Sequence, residues 1–217
     1  MKLLFVANGD MRKKFSPEFF SDFDHIVCVD GGLNSLCDSY GQQRPSFIIG
    51  DLDSARRDLV DSHRSASKII LKNNQDESDL MFALRYFLEE WDRRNDIEEI
   101  VLTGIVGSRI DHTLCNIIAL RRIPPSIRAK TITAAGEEIF LLRGRGEMIL
   151  ENLRGKTISL IPLTKIDRLT CTGLRWSLEE VSLPFGFVNG VSNVADENSV
   201  GIRVLEGELL VVVNETI

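Results

Sequence analysis

The stretch Phe47-Ile48-Ile49-Gly50-Asp51-Leu52-Asp53-Ser54 runs from apolar residues through a single glycine into two carboxylates one residue apart. A short apolar run bounded by turn residues predicts a buried strand. Side chains at i and i+2 of an extended chain point the same way, so Asp51 and Asp53 place two negative charges on one side of a strand end. Two such charges about 4 Å apart repel by about 4 kcal/mol at an effective dielectric near 20. Oxygen ligands on a short acidic turn suit a hard cation such as Mg²⁺, which keeps several waters and is shared with substrate phosphates. A purely structural use fits the same residues, with Asp51 capping a turn and Asp53 as N-cap of a helix beginning near Ser54. The company this pair keeps along the chain bears on the choice.

Outward from this stretch, short apolar segments alternate with helix-like ones from Lys2 to about Gly144. That is the pattern of a parallel sheet covered by helices. The expected strands are Leu3 to Ala7, Ile26 to Val29, Phe47 to Ile49, Lys68 to Leu71 and Ile100 to Thr103. Each runs into polar or glycine residues: Asn8-Gly9-Asp10, Asp30-Gly31-Gly32, Gly50 to Asp53, the segment leading to Gln75-Asp76-Glu77-Ser78-Asp79, and Gly104 to Arg109. Open parallel sheets bind ligands outside the carboxyl ends of their strands, so these termini are expected to line one crevice.

Leu80, Leu84, Phe87, Leu88 and Trp91 recur at three- and four-residue steps, which predicts a helix from about Ser78 to Trp91 with a core-facing stripe. Asp76 or Ser78 is the expected cap. A second helix is expected from about Ile110 to Arg122, closed by Pro124-Pro125. Beyond it the texture changes to short β-branched runs separated by turns: Thr131 to Thr133, Ile139 to Leu142, Met148 to Leu150, Thr157 to Ile161, Arg168 to Thr170, Gly201 to Val204 and Leu209 to Val213. Strands so spaced predict a β-sandwich or similar antiparallel layer. The expected division is an α/β domain over 1–128 and an all-β domain over 129–217.

The 217 residues, 43% of them hydrophobic, fit one or two compact domains. A net charge of −6, with no Lys/Arg run interleaved with aromatics, disfavours a nucleic-acid partner. Apolar runs such as Leu209 to Val213 fall far short of the roughly 18 residues of a membrane span. Asn8-Gly9-Asp10 and Arg12-Lys13-Lys14 break the N-terminal apolar run too early for a signal segment, so a buried first strand is expected. Cys28, Cys37, Cys115 and Cys171 lack C-x-x-C spacing and are expected to be small buried residues of a reducing cytoplasm.

Two further clusters join Asp51 and Asp53. In Asp30-Gly31-Gly32 the glycines permit close approach of a ligand to backbone N–H groups, or simply make a tight turn, and Asp30 adds a carboxylate at the same sheet edge. Asp79 belongs to the first turn of its helix, where the dipole favours a carboxylate with or without a ligand. In Thr103-Gly104-Ile105-Val106-Gly107-Ser108-Arg109-Ile110-Asp111-His112, a glycine-bearing loop opens a helix, an arrangement that receives anions. Arg109 offers a fork of donors to phosphate oxygens, and Asp111 and His112 fit a ribose, a base or a metal-bound water. Carboxylates, an arginine and a glycine loop make up the inventory of metal-assisted phosphoryl transfer, which needs positioning and charge neutralisation more than covalent help.

The ordered runs Cys28 to Asn34, Ile49 to Ser54, Asn74 to Asp79 and Gly107 through Asn116 resemble the motifs of the thiamine pyrophosphokinase family. The resemblance continues through Thr172 to Leu178 and Gly190 to Asn193, and so covers nearly the whole chain. It implies a three-layer α/β nucleotide-binding domain followed by a β-sandwich, and a cytoplasmic homodimer whose subunits share the active site. It also implies Mg²⁺-dependent transfer of pyrophosphate from ATP to thiamine. Asp51, Asp53 and Asp79 would be the metal and phosphate ligands, with Asp30, Gln75 and Ser78 assisting. Nucleotide contacts would fall on Gly31, Asn34, Thr103, Gly104, Arg109 and Asp111, with His112 beside them. Trp176, Ser192 and Asn193 would hold the thiamine ring. From the residues alone, Trp176 either stacks on a flat heterocycle or packs in the β core, and Ser192-Asn193 either binds an amino-pyrimidine edge or makes a turn. A pyrophosphokinase for another heterocyclic alcohol such as a hydroxymethyl pterin, a non-catalytic thiamine or nucleotide sensor, and a sugar nucleotidyltransferase are the competing readings.

Overall fold

Residues 1–11, 15–186 and 190–214 are described in a computed structural model of the chain; the Arg12-Lys13-Lys14 run lies outside them. The chain divides into two compact units, Met1–Ala135 and Gly136–Ile217. The fold is mixed α/β, with parallel strands in the first unit and antiparallel strands in the second.

The first unit runs β1 (Lys2–Val6), α1 (Pro17–Ser21), β2 (His25–Val29), α2 (Gly32–Tyr40), β3 (Phe47–Gly50), α3 (Arg57–His63), β4 (Lys68–Leu71), α4 (Asp79–Arg85), β5 (Glu99–Thr103), α5 (Ile110–Ala119) and β6 (Arg128–Ile132). Its strands lie in the order β6-β5-β1-β2-β3-β4, and every adjacent pair is parallel. Leu3, Leu4, Phe5 and Val6 are fully buried, as a central parallel strand covered on both faces requires. The order reverses across β1, because the chain steps outward through β2, β3 and β4 and returns to β5 on the other side. All the strands point one way, so the polar segments after β2, β3 and β4 emerge at the same rim.

Helix α4 shows how sequence pattern becomes packing. Its buried Leu80, Ala83 and Leu84 continue the stripe seen in the sequence, and Phe87 and Trp91 follow on. The ring of Phe87 meets Phe5, Phe47 and Trp91 edge-on at centroid distances of 5.4, 5.0 and 5.0 Å, contacts each worth about 0.5–1.5 kcal/mol beyond area burial. The expected helix to Trp91 is not α-helical throughout. Tyr86–Glu90 form a π turn, closed by Trp91 N–H donating to the Tyr86 carbonyl at 2.8 Å. Likewise α5 ends in a 3₁₀ turn at Leu120–Arg122.

The second unit contains β7 (Glu138–Arg143), β8 (Gly146–Leu150), β9 (Thr157–Pro162), β10 (Ile166–Thr172), β11 (Leu178–Leu183), β12 (Asn193–Val194), β13 (Val200–Val204) and β14 (Glu208–Asn214). They form two antiparallel groups, β12-β9-β14-β7 and β11-β10-β13-β8. One buried cluster draws on both, joining Ile158, Leu160, Val211 and Val213 from the first with Leu169, Cys171, Val200 and Ile202 from the second.

Three local expectations are corrected. Thr131-Ile132, read as opening the β region, belongs to β6, the sixth parallel strand, paired to β5. Helix α3 starts at Arg57 with Arg56 as its N-cap, so Asp53 caps no helix. Cys28 and Cys171 are buried as expected, but Cys37 is only partly buried and Cys115 is exposed on α5. Among the described residues no helix is long and apolar enough to cross a membrane.

Candidate active site

The carboxylates on the rim after β2, β3 and β4 include Asp30, Asp51, Asp53 and Asp79. Asp30 follows β2 directly; it is buried, and it adopts a left-handed backbone conformation at φ 47°. Asp51 and Asp53 follow β3 with Leu52 between them at φ 61°. Left-handed conformations of non-glycine residues cost of order 1 kcal/mol or more and persist only where the surroundings fix them. They accompany a gathering of three carboxylates: one oxygen each of Asp30, Asp51 and Asp53 lie within 4.8 Å of one another.

Gly50 makes the convergence possible. Its φ is 141°, and a Cβ there would sit 3.2 Å from Asp30 Cβ and 3.2 Å from Asp79 Oδ1. The end of β3 is thus a bare piece of backbone with carboxylates on either side.

Each acid is held by donors. Asp51 Oδ2 accepts from Gln75 Nε2 at 2.9 Å and Oδ1 from Asp53 N–H at 3.2 Å. Ser54 donates through Oγ to Asp53 at 2.9 Å and through N–H to Asp30 at 3.3 Å. Asp79, the first residue of α4, accepts the Asp51 N–H at 3.2 Å and the Lys72 ammonium at 2.9 Å, both on Oδ1. Ser78 caps the helix, its Oγ accepting from Met81 N–H at 3.3 Å. Burial pushes the Asp30 carboxyl above the usual carboxylate range, against hydrogen bonds from Gly31 and Ser54, with the charge of Asp79 adding to the rise. The Gln75 amide, chiefly, holds Asp51 below that range. A buried Asp30 whose charged form is penalised, beside an Asp51 whose charged form is favoured, belongs to an oxygen-only donor set. Its chemistry fits a hard divalent cation.

Asn34 on α2 spends both ends of its amide on the loop after Asp53, donating to the Ser54 carbonyl at 2.8 Å and accepting from Arg56 N–H at 2.9 Å. It shapes that loop. Gly31 sits against the Asn8 side chain, with 2.4 Å between a notional Cβ and Asn8 Cγ.

Across the sheet, the segment after β5 is laced to the segment after β1. Ala7 N–H donates to the Thr103 carbonyl at 2.9 Å, and Asp10 N–H to the Val106 carbonyl at 3.0 Å. Thr103 is buried, and Gly104, at φ 67°, packs so closely that a Cβ would lie 2.3 Å from the Ala7 carbonyl oxygen. The glycine loop is tied down by Thr113, whose Oγ1 accepts from Gly107 N–H at 3.2 Å, and by Asn116 Nδ2, which donates to the Ile105 carbonyl at 2.9 Å. Arg109 and Asp111 form an exposed ion pair at 2.5 Å that holds the Asp111 carboxyl down to about 2. His112 is exposed beside them.

In the second unit Trp176 is 59% exposed, so it is not a core residue. The Arg175 guanidinium lies 5.8 Å from its ring centroid. Asn193 clasps its backbone, accepting the Trp176 N–H at 3.2 Å and donating to the Trp176 carbonyl at 2.8 Å. Ser192, at φ 65°, donates its N–H to Ser159 Oγ at 3.1 Å. The structure therefore joins Asn193 to the backbone of Trp176, while the preceding Ser192 is tied to Ser159 on β9.

Sequence reasoning overlooked Lys72 and Thr113. For Lys72 the signal lies in the strand register, which the sequence does not give: it follows β4 directly, in line with Asp51, the residue that follows β3. A base opposite an acid on the neighbouring strand is a pair.

Residues 17–132 match the family model described as thiamin pyrophosphokinase, catalytic domain, and residues 147–209 match thiamin pyrophosphokinase, vitamin B1 binding domain. Thiamine pyrophosphokinase 1 of Arabidopsis thaliana is 26% identical over 218 residues, covering 92% of this chain and 81% of the relative. Thiamine pyrophosphokinase 3 of Oryza sativa subsp. japonica is 27% identical over 222 residues, covering 93% of this chain and 82% of the relative. Among solved structures, thiamine pyrophosphokinase from Bacillus subtilis shares the fold at a TM-score of 0.82 and 24% identity, with 100% of each chain covered. Thiamin pyrophosphokinase from Candida albicans does so at 0.78 and 24%, with 98% of this chain and 88% of that one covered.

Proposed function

The chain belongs to the thiamin pyrophosphokinase family, and on that premise we propose that it moves the terminal pyrophosphoryl group of ATP onto the hydroxyl of thiamine, giving thiamine diphosphate and AMP. The observation that carries the reading is the convergence of Asp30, Asp51 and Asp53 within 4.8 Å at the rim of the parallel sheet. Asp51, Asp53 and Asp79 would hold Mg²⁺ with Asp30 alongside; the second carboxylate oxygen of Asp79 serves, since Oδ1 is occupied by Lys72 and the Asp51 N–H. When bound, the ion supplies neutralisation of the phosphate charge during transfer.

This chain's own residues do the rest. Gln75 orients Asp51. Ser78 fixes the first turn of α4 and with it Asp79. The nucleotide runs past Gly31 and Asn34 toward Thr103, Gly104, Arg109, Asp111 and His112, with Arg109 exchanging its partner Asp111 for phosphate oxygens. The α/β domain, expected over 1–128 and here extended through β6 to Ala135, is the catalytic part, and the β-sandwich after it the thiamine-binding part, where the face of Trp176 stacks on the ring and Ser192 and Asn193 set its edge. The thiamine hydroxyl oxygen attacks the β-phosphorus in line. The bond from that phosphorus to the α,β-bridging oxygen breaks, AMP leaves, and the hydroxyl proton passes to solvent. A loose transition state requires little early deprotonation, so no general base is assigned. We place the protein in the cytoplasm as a homodimer sharing its active sites, with no nucleic-acid or membrane partner; a net charge of −6 agrees with the absence of nucleic acid.

Incubation with ATP, Mg²⁺ and thiamine, followed by separation of products, tests the proposal. AMP and thiamine diphosphate are the expected products. ADP with a thiamine monophosphate would refute pyrophosphoryl transfer. Turnover of a hydroxymethyl pterin in place of thiamine would move the substrate assignment. Thermal stabilisation by ligand without any AMP would make the protein a sensor.

A further inference from the structure

A buried lysine adjoins the carboxylates, and no step above employs it. The Lys72 side chain is 2% exposed, yet it carries its charge among acids: Nζ lies 2.9 Å from Asp79 Oδ1 and 3.9 Å from Asp51 Oδ2, and donates to the Glu77 carbonyl at 3.0 Å. Its backbone is fixed too, the N–H donating to the Gly50 carbonyl at 2.9 Å, which extends the β3–β4 pairing by one residue. A lysine is rarely buried unless paired, and this one is paired at both carboxylates.

The partners lie in series. Lys72 grips the oxygen of Asp79 that also accepts the Asp51 N–H at 3.2 Å, so one ammonium fixes the start of α4 against the end of β3. It lies on the Asp79 side of Asp51. Asp51 also meets Asp30 and Asp53, and among the described residues these three make the close triad. With its nitrogen enclosed, Lys72 cannot reach a phosphate; whatever it does, it does through the acids.

Resting on the reading of this rim as the pyrophosphoryl-transfer site, we propose that Lys72 is a positioning residue, a permanent internal cation. It commits one oxygen of Asp79 to support and holds Asp51 in place before the divalent ion arrives. Four acids from three strand ends then share a fixed positive charge and an exchangeable one. The exchangeable one would take the oxygens that Lys72 leaves open on Asp51, Asp53 and Asp79, with Asp30 alongside.

The test compares wild type with Lys72→Met, Lys72→Arg and the pair Lys72→Met/Asp79→Asn, in EDTA and in MgCl₂ alone. Lys72→Met is expected to melt lower than wild type in EDTA and to gain more in melting temperature from Mg²⁺ than wild type gains. Removing the Asp79 charge from that variant is expected to raise its EDTA melting temperature again. In turnover, Lys72→Met is expected to lose about tenfold or more in kcat, the cost typical of a support behind a metal ligand. Its KM for thiamine should stay within about twofold, since thiamine binding is not what the lysine serves. Lys72→Arg, which keeps the charge, should retain more kcat than Lys72→Met. An unchanged Mg²⁺ response and kcat in Lys72→Met would overturn the proposal. So would a double variant no more stable than Lys72→Met, including the case in which neither folds, because Lys72 would then be ordinary packing. Wild-type protein that makes no AMP refutes the functional reading separately, while the melting order of the variants still reports on Lys72.

Discussion

The Asp111 carboxyl, held down to about 2 by the Arg109 guanidinium, shows how far a residue's prospective role can differ from its resting partner. Both residues stand out in the sequence as candidates for phosphate and ribose. In the structure they occupy each other, both exposed at the entry to α5. A carboxyl whose folded pKa lies below its unfolded value contributes stability that is present above the unfolded value and is lost as pH falls through the folded one. For Asp111 the window therefore runs from the ordinary aspartate range down to about 2. Carboxyl-detected NMR should show Asp111 titrating near 2 in the nucleotide-free protein. The midpoint should move back toward the ordinary range in Arg109→Gln, and partly so in high salt, since exposed pairs are screened. A normal midpoint in wild type would mean that the pair does not form in solution. At this same scale the sequence exposed the acids but concealed Lys72. Its polarity after an apolar strand reads as the start of a solvated loop, and only the register of β4 on β3 turns it inward.

Helix α4 connects capping to the site. Ser78 Oγ satisfies the Met81 N–H, and the next residue in the chain is Asp79. Ser78→Ala should cost about 1 kcal/mol, a fall in melting temperature of roughly 2–4 °C for a chain of this size. It should also lower turnover, because the turn that presents Asp79 loosens. Ser78→Thr keeps the hydroxyl and should behave nearly as wild type. A melting temperature unchanged in Ser78→Ala would show that the cap is not made. Five of the six strands of the first unit and helices α4 and α5 were legible, because parallel strands are continuous apolar runs and α4 has a clean stripe, whereas β6 was read into the second unit. The elements of the second were legible only where apolar residues line up. β11, Leu178-Glu179-Glu180-Val181-Ser182-Leu183, carries acids on its exposed positions and was missed, as was the two-residue β12. The π turn at Tyr86–Glu90 leaves no mark in the spacing of Leu80, Leu84, Phe87 and Trp91, because that spacing is helical either way.

For the whole molecule, the strand order β6-β5-β1-β2-β3-β4 makes a rim out of residues as far apart in sequence as Asp30 and Asp79. The order itself was not legible, since alternation of strand and helix does not say on which side of β1 the fifth strand returns. The convergence of strand ends was legible, because parallel strands must all deliver their carboxyl ends to one edge. The proposed activity requires those acids to form a binding site for one divalent ion. Mn²⁺ alone, titrated into the protein while the electron paramagnetic resonance signal of the free ion is followed, measures this directly. Wild type is predicted to remove Mn²⁺ from solution, and Asp51→Asn and Asp53→Asn each to weaken that uptake by about tenfold or more, as loss of a charged oxygen ligand requires. Equal uptake by all three proteins, or none by wild type, would contradict it.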